Sequence, residues 1–273
     1  MRVESSFMVE VIVFSSVWVV TDALPLLVEG GISEVAPTVV AMASPTPTET
    51  TTTLEWSRVT VRGPQSEMFL QGQLTQDMAD VTGAGRWSLL LRPDSAVLCA
   101  GWVRRDGDGF TVDVPRSLGE SALARLQRFH LRIDCTLTLG ETPTGPLRTS
   151  GELVAARWLG ANECAFDLSP QSYGSTIVSE TVSFTKGCYT GQELVARLDA
   201  RGASVPWRFV HVRGPNVARV DEVLRAKGPE GPQGVTTAVD VVDGVEGLGF
   251  AHRTLFASEQ LANAADVVVE PID

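Results

Sequence analysis

The stretch KGCYTGQELVARLDARG, residues 186–202, contains the residues whose types and spacing best fit a chemical role. Cys188 lies between Lys186 and Tyr189 and shortly precedes a segment with helical spacing of its leucines. The positive end of a helix dipole and a neighbouring lysine both favour the thiolate form of a cysteine. Two glycines in the same stretch allow backbone or ligand to approach closely. Cys188 is therefore a candidate functional thiol, and the alternative is a tight strand-to-helix turn in which it is merely small enough to fit.

A second pattern indicates where the helix begins. Thr190 and Glu193 have the T-x-x-E spacing of a capping box, in which the hydroxyl accepts the glutamate N–H and the carboxylate accepts the threonine N–H. Gly202 is a suitable residue to end the helix. The spacing predicts a helix with Thr190 as its N-cap, which places Cys188 two residues before the cap.

The cysteines and histidines predict neither a metal site nor a disulfide framework. No two of the four cysteines have the C-x-x-C spacing of a zinc or redox pair, and the three histidines are far apart. Cys99 and Cys135 lie in the strand-like segments AVLCAGWV and LRIDCTLTL, where a cysteine packs as a small hydrophobic residue. We therefore expect no metal bound by this chain alone, and a reducing compartment.

The composition and net charge of the chain indicate which classes of protein to expect and which to exclude. The chain has 273 residues, of which 44% are hydrophobic and 20% charged, as in a soluble globular protein. Its formal net charge of -11 repels phosphate backbones, so we expect no direct nucleic-acid binding. The densest basic run, RLQRFHLR at residues 125–132, has apolar residues at helical core spacing. We predict that its arginines form the solvated face of a helix.

Residues 1–53 differ in composition from the rest of the chain. The apolar run at residues 7–20 is shorter than the roughly 20 residues that a membrane-spanning helix needs. MASPTPTETTTT, residues 42–53, is rich in proline and threonine and is typical of disorder. We interpret residues 1–53 as a disordered leader or an over-extended reading frame, with translation starting at Met42. An export signal cleaved after AMA, residues 41–43, is the alternative, although that site lies far from the apolar run.

This interpretation gives a first prediction. Deleting residues 1–41 is expected to leave the melting temperature nearly unchanged, because a leader outside the folded core contributes no buried apolar surface. Thermal unfolding of the full and shortened chains, followed by circular dichroism, measures the difference. A fall of many degrees would show that the leader packs against the core.

From residue 54 onward the chain is predicted to be α+β. RVTV alternates as a strand does, SEMFLQGQLTQDM has helical spacing, and strands joined by turns at PD and DGDG follow. From residue 205, short strand-like pieces separated by glycine and proline predict a small β-barrel or sandwich. We divide the chain into the leader (1–53), an α+β body (54–204) and a C-terminal β-barrel (205–273).

The string KGCYTGQE, residues 186–193, resembles the signature of the YgfZ family. VTVRGPQSEMFLQGQLTQDM is similar to the first strand and helix of that family, RLQRFHLR to one of its helices, and GVTTAV and GLGFAHR to its closing strands. The resemblance covers about residues 59–253. It implies the fold of the glycine-cleavage T-protein, an aminomethyltransferase: a cloverleaf of α+β lobes around a central channel, with a small C-terminal β-barrel.

The resemblance also implies a function. YgfZ proteins are tetrahydrofolate-binding accessory factors for the assembly or repair of iron–sulfur enzymes, including tRNA-modifying clients. The resemblance places Lys186, Cys188, Tyr189, Gln192 and Glu193 near the folate channel. We expect two kinds of partner, a reduced folate (tetrahydrofolate or a derivative) and iron–sulfur client enzymes. The protein is expected to be a cytoplasmic monomer that has no membrane contact and does not turn over a substrate.

Departures from the family leave alternatives open. The segment before the signature is shortened, and Glu180 is the only nearby carboxylate in place of the P-x-E glutamate that holds the pterin. LRPDSAV, residues 91–97, also lacks the Gly-Lys or Gly-Arg of the matching turn. Pterin binding is then either weakened or transferred to another residue, and a degenerate scaffold without folate is one alternative. The other is a folate-dependent aminomethyl or one-carbon transferase, with Asp77 as the carboxylate beside the folate nitrogens.

Overall fold

The computed structural model describes residues 11–14, 17–20, 51–142, 145–202 and 205–273. Most of the predictions made for the leader, including the starting methionine and the cleavage site, lie outside the described residues. Within the part of the chain that is described, no helix is both long and apolar enough to cross a membrane.

The chain forms two compact units, Met1–Thr46 and Pro47–Asp273. In the first unit, the described residues form strands β1 (Val11–Phe14) and β2 (Val17–Val20), which pair antiparallel. The apolar run at residues 7–20 therefore contains two short strands.

The second unit contains a five-stranded sheet near its N-terminal end. Its strands are β3 (Trp56–Arg62), β4 (Arg86–Leu91), β5 (Val97–Asp106), β6 (Gly109–Pro115) and β7 (Thr136–Thr142). They lie in the order β4-β5-β6-β3-β7, and all neighbours are antiparallel.

The turns of this sheet follow from its sequence. The β4–β5 turn contains Pro93 and Asp94, and the residue after them, Ser95, has a φ of 72°. Gly107 of the DGDG turn between β5 and β6 has a φ of 59°, a conformation that costs glycine little. Both hairpins are confirmed where the turn residues predict them.

The second sheet comprises the C-terminal strands. These are β8 (Trp207–Gly214), β9 (Gly234–Val241), β10 (Gly244–His252) and β11 (Val268–Pro271). Their order is β11-β8-β10-β9, again with antiparallel neighbours. Among the described residues the sheet is open, since β11 and β9 are its two edges. The predicted β-barrel is therefore not confirmed and stays a prediction.

Short helices connect and cover the two sheets. The α-helices are α1 (Ser66–Gln71), α2 (Gly119–Gln127), α3 (Ser150–Ala155), α4 (Ser175–Thr181), α5 (Gln192–Ala200), α6 (Val217–Arg225) and α7 (Glu259–Asn263). Single 3₁₀ turns are Met78–Asp80, Arg116–Leu118, Glu163–Ala165, Pro170–Tyr173 and Arg253–Ala257.

Both sheets of the second unit contribute to one hydrophobic cluster. Leu89 of β4, Phe209 of β8 and Phe250 of β10 belong to it, and Tyr173 and Tyr189 lie in the same cluster. The Tyr173 ring centroid is 5.8 Å from that of Phe209 and 5.6 Å from that of Phe250. Burying one such side chain stabilises the fold by roughly 1.5–3 kcal/mol. The predicted α+β class, with antiparallel sheets, is confirmed, whereas the cloverleaf, the channel and the domain boundaries stay predictions.

Candidate functional site

The two sequence segments richest in family-like residues meet in space. The backbone N–H of Thr190 donates to Gly72 O at 3.0 Å. The Lys186 ammonium donates to Leu74 O and to Gln76 O, both at 2.8 Å. The loop at residues 72–76 that follows α1 therefore lies directly against the segment that carries Cys188, although the two are more than a hundred residues apart in sequence.

The 72–76 loop is held in turn by buried hydrogen bonds from both sides. The Thr75 hydroxyl accepts the N–H of Leu89 in β4 at 2.8 Å and donates to Thr181 O, at the end of α4, at 2.6 Å. Ser183 N–H donates to Thr75 O at 3.0 Å. These hydrogen bonds connect the loop to the first sheet on one side and to the segment that leads into the signature on the other. The turn that contains Lys186 and Cys188 therefore packs on a loop that hydrogen bonds hold in place.

Lys186 is a buried cation in this arrangement. It is 7% exposed, and its Nζ lies 5.3 Å from the centroid of the Tyr189 ring. Burial lowers the pKa of Lys186 to about 8, and the charge of Asp77 acts in the opposite direction. Two carbonyl acceptors and an aromatic face replace the water that the ammonium loses.

Tyr189 lies on the inner side of the same turn. Its side chain is 6% exposed and belongs to the hydrophobic cluster shared by the two sheets. Burial raises the pKa of Tyr189 to about 12, so the phenol stays protonated at neutral pH. Tyr189 therefore anchors the turn, while Gly187 and Cys188 directly before it are exposed.

Cys188 is exposed, and the other three cysteines are buried. A Cβ built on the neighbouring Gly187 would have no atom within 4 Å, so the space beside the thiol is open. Burial raises the pKa of Cys99 to about 12 and raises the pKa of Cys164 well above its usual value. The predicted packing roles of Cys99 and Cys135 are confirmed by their burial, while Cys188 is accessible to a reagent or a partner.

The predicted capping box is wrong. Helix α5 begins at Gln192, its N-cap is Gly191, and no side chain of a described residue caps it. The Thr190 hydroxyl instead lies 3.4 Å from Gly72 O and 3.4 Å from Gln73 Oε1. Thr190 thus forms its hydrogen bonds with the 72–76 loop, which is distant in sequence. A pattern of local spacing carries no information about such a contact.

Gly191 explains why the helix starts one residue later than predicted. Its φ is 87°, and a Cβ at this position would lie 2.7 Å from Arg92 O and 3.0 Å from the Cβ of Leu91. Only glycine fits that conformation and that approach without strain. The expectation that a glycine here permits close approach is confirmed, and the approaching group is the end of β4. Cys188 consequently lies three residues before the N-cap.

The carboxylates predicted for folate differ in their placement. Asp77 is half-buried, and its Oδ1 accepts the N–H of Ala79 at 3.0 Å and the amide of Gln71 at 3.1 Å. Glu180 is exposed, and only its backbone carbonyl contacts the loop, by accepting the Gln76 amide at 3.1 Å. The structure therefore brings the side chain of Asp77, but not that of Glu180, into the surroundings of Lys186.

The remaining two residues implied by the resemblance lie on the first turn of α5. Gln192 is half-buried and Glu193 is exposed. Among the described residues, no group of three or more His, Cys, Asp and Glu side chains could hold a metal ion.

Comparison with known proteins shows which proteins the chain is similar to. The chain is 26% identical to the tRNA-modifying protein YgfZ of Escherichia coli O157:H7 over 220 residues, which cover 55% of this chain and 67% of that protein. The tRNA-modifying protein YgfZ of Escherichia fergusonii gives the same values. The chain is YgfZ-like. No family model matches it. Among solved structures, the glycine cleavage system aminomethyltransferase T from Bartonella henselae aligns with a TM-score of 0.49 at 14% identity, over 76% of this chain and 79% of that one.

The YgfZ-like chain contains one buried residue at this site that the sequence reasoning missed. Arg125 of α2 is 7% exposed, and its Nη1 donates to Gln73 Oε1 at 3.0 Å. We expected the arginines of RLQRFHLR to be solvated, and for Arg125 that expectation is wrong. The signal was present, because Ala122, Arg125 and Leu126 share the buried stripe of α2 at i, i+3 and i+4.

Proposed function

We propose that this YgfZ-like chain binds a reduced folate, tetrahydrofolate or a derivative, and supports iron–sulfur enzymes as an accessory factor. tRNA-modifying enzymes are the first clients to consider, because the relatives are named tRNA-modifying proteins. The observation that carries the proposal is the packing of the signature turn on the 72–76 loop, which buries Lys186 and leaves Cys188 open to solvent. We place the protein in the cytoplasm, as a monomer.

The proposed folate site centres on Lys186 and Asp77. A pterin ring presents several N–H donors, which a carboxylate is well suited to accept. Asp77 uses Oδ1 for its internal hydrogen bonds, and among the described residues none donates to its Oδ2. That free oxygen favours Asp77 over the exposed Glu180 as the carboxylate that holds the pterin. Gln192 and Glu193 would line the outer part of the same site.

Cys188 is the proposed functional thiol. Thiolates are the usual protein ligands of iron–sulfur clusters and the reactive form in thiol exchange. An exposed cysteine beside an open glycine can be reached by a macromolecular client, which a buried cysteine cannot. The geometry therefore fits a thiol that acts on a partner while the folate is bound next to it.

A second candidate function has one observation in its favour. The half-buried Asp77 with a free oxygen is also the arrangement that a folate-dependent aminomethyl or one-carbon transferase would need beside the folate nitrogens. Transfer of an aminomethyl group by the purified chain would establish this activity. A scaffold without folate is the third alternative, and the shortened segment before the signature supports it.

Titration of the purified chain with tetrahydrofolate tests the proposal. We expect saturable binding of one folate per chain by isothermal titration calorimetry under reducing conditions. Asp77→Asn should weaken binding at least tenfold, because a hydrogen bond to a charged group contributes roughly 1.5–3 kcal/mol and about 1.4 kcal/mol is a factor of ten. Glu180→Gln, which removes a charge of the same sign from the exposed position, should change the affinity less than twofold.

The opposite results have distinct meanings. A strong effect of Glu180→Gln with none for Asp77→Asn would assign the pterin to Glu180 and overturn our choice of carboxylate. The absence of saturable binding would overturn the folate proposal and favour the scaffold.

A further inference from the structure

Arg125 is a buried cation without a counter-ion among the described residues. Its Nε donates to Leu91 O at 2.8 Å and its Nη1 to Gln73 Oε1 at 3.0 Å, and both acceptors are neutral. Its Nη2 is buried and has no hydrogen-bond partner within the part of the chain that the structure describes. The guanidinium carbon lies 4.3 Å from the centroid of the Phe129 ring, which supplies a weak compensating attraction.

Such an arrangement is costly for the stability of the fold. A buried charge loses its hydration, and neutral acceptors replace it only in part. Burial lowers the pKa of Arg125 to about 10, and the charge of Arg128 acts in the same direction. A methionine or leucine in the buried stripe of α2 would avoid this cost. Burial of apolar surface does not explain a guanidinium at this position, so its two hydrogen bonds are the contacts to consider.

Both hydrogen bonds of Arg125 end at the support of the Cys188 turn. Gln73 belongs to the 72–76 loop, whose Gly72 carbonyl accepts the N–H of Thr190. Leu91 ends β4, and its side chain is one of the groups against which Gly191 packs. A single planar guanidinium thus ties together the loop and the strand between which the start of α5 is held. Lysine could not do so, since it lacks the fixed fork of donors.

We propose that Arg125 is a positioning residue for the turn that carries Cys188. It touches neither the thiol nor the proposed folate carboxylate, and it acts through Gln73 and Leu91. The importance of this positioning for client enzymes rests on the proposed function of Cys188. The positioning itself does not, and it is measured without any client.

Hydrogen exchange and cysteine alkylation test the inference on the full chain. In Arg125→Met, the Thr190 amide should exchange at least tenfold faster than in the wild type, and the rate of Cys188 alkylation by iodoacetamide at fixed pH should change at least threefold. Strand β10 should keep its protection, and the melting temperature should stay the same or rise, because the cost of the buried charge is removed. Arg128→Met, which removes the exposed charge one helical turn later, should leave both rates unchanged. In Arg125→Lys, both rates should return less than halfway from their Arg125→Met values to their wild-type values.

Two outcomes would overturn the inference. One is equal exchange and alkylation in Arg125→Met and Arg128→Met. The other is faster exchange throughout the chain with a large fall in melting temperature, which would make Arg125 a general stabilising residue. If Arg125→Met does not fold, Arg125→Lys keeps the charge but lacks the fixed fork of donors, and it should give the same local pattern at more than half the size. Failure of Cys188 in the client assay would refute the proposed function without altering the exchange result.

Discussion

Cys188→Ala is expected to fold normally and yet fail to restore iron–sulfur enzyme activity in cells that lack the native protein. The thiol is exposed, so its loss opens no cavity. The three remaining cysteines are buried, and none of them can take its place at the surface. Activity of a client enzyme, normalised to the amount of each variant, gives the functional result, and thermal unfolding of the purified protein gives the structural one.

Cys99→Ala and Cys135→Ala are the matched controls. Both cysteines are buried, so each substitution should leave a small cavity that costs about 1 kcal/mol. The two variants should therefore be less stable than the wild type but restore client activity wherever they fold. Full restoration by Cys188→Ala would mean that Cys188 is only a residue small enough for its turn.

The folate titration separates the two halves of the proposed function. Cys188→Ala should bind tetrahydrofolate nearly as the wild type does, because pterin recognition depends on shape and on a carboxylate and not on the thiol. Loss of both client activity and folate binding in this variant would instead indicate a disturbed site. The Lys186 and Tyr189 contacts make that outcome unexpected, since neither involves the sulfur.

Local patterns in the sequence predicted the strands and turns well. The hairpins at PD and DGDG form because proline, aspartate and glycine set the backbone of a turn by themselves. The short C-terminal pieces became β8 to β11 for the same reason, since alternating apolar residues between glycines need only one buried face. Whether such strands close into a barrel depends on pairing between distant strands, which no local pattern specifies.

The sequence predicted the site less well where a residue forms its hydrogen bonds with a distant segment and not with its near neighbours. The spacing of Thr190 and Glu193 satisfies a capping box, but the N–H of Thr190 is taken by Gly72, and Gly191 then starts the helix. Arg125 was assigned to the solvent because of its charge, although its position in the stripe of Ala122 and Leu126 places it in the core. In both cases the deciding partner lies on the 72–76 loop.

Lys186→Met is expected to remove a rise in stability that the wild type shows at alkaline pH. Burial lowers the pKa of Lys186 from 10.5 to about 8, so between these pH values the unfolded chain holds a proton that the folded chain has released. Since the unfolded state binds more protons there, the free energy of unfolding increases as the pH rises through that interval. The cost of the buried charge is fully present below pH 8 and is relieved by about pH 10.5.

The difference in unfolding free energy between the wild type and Lys186→Met isolates the titration of Lys186 from that of other groups. Burial also raises the pKa of Cys99, which lies in a different hydrophobic cluster from Tyr189 and titrates alike in wild type and variant. Burial raises the pKa of Tyr189 to about 12, so this phenol stays protonated in the folded state across the interval. The unfolding free energy of the wild type relative to Lys186→Met should increase by up to about 3 kcal/mol between pH 7.5 and pH 10, at about 1.4 kcal/mol for each pKa unit. Urea unfolding at intervals of half a pH unit measures it. Lys227→Met, which replaces the other lysine of the chain at an exposed position, should run parallel to the wild type.

The way this free-energy difference changes with pH shows whether the charged ammonium of Lys186 destabilises the fold. A rising difference means that Lys186 is destabilising when charged, so its hydrogen bonds to Leu74 and Gln76 do not fully compensate its lost hydration. The residue would then be kept for its charge beside Asp77, as the proposed folate site requires. Parallel curves for wild type and Lys186→Met would show that the two carbonyls and Asp77 fully stabilise the ammonium. In that case Lys186 is a structural clamp on the 72–76 loop, and its place in the folate site would have to be given up.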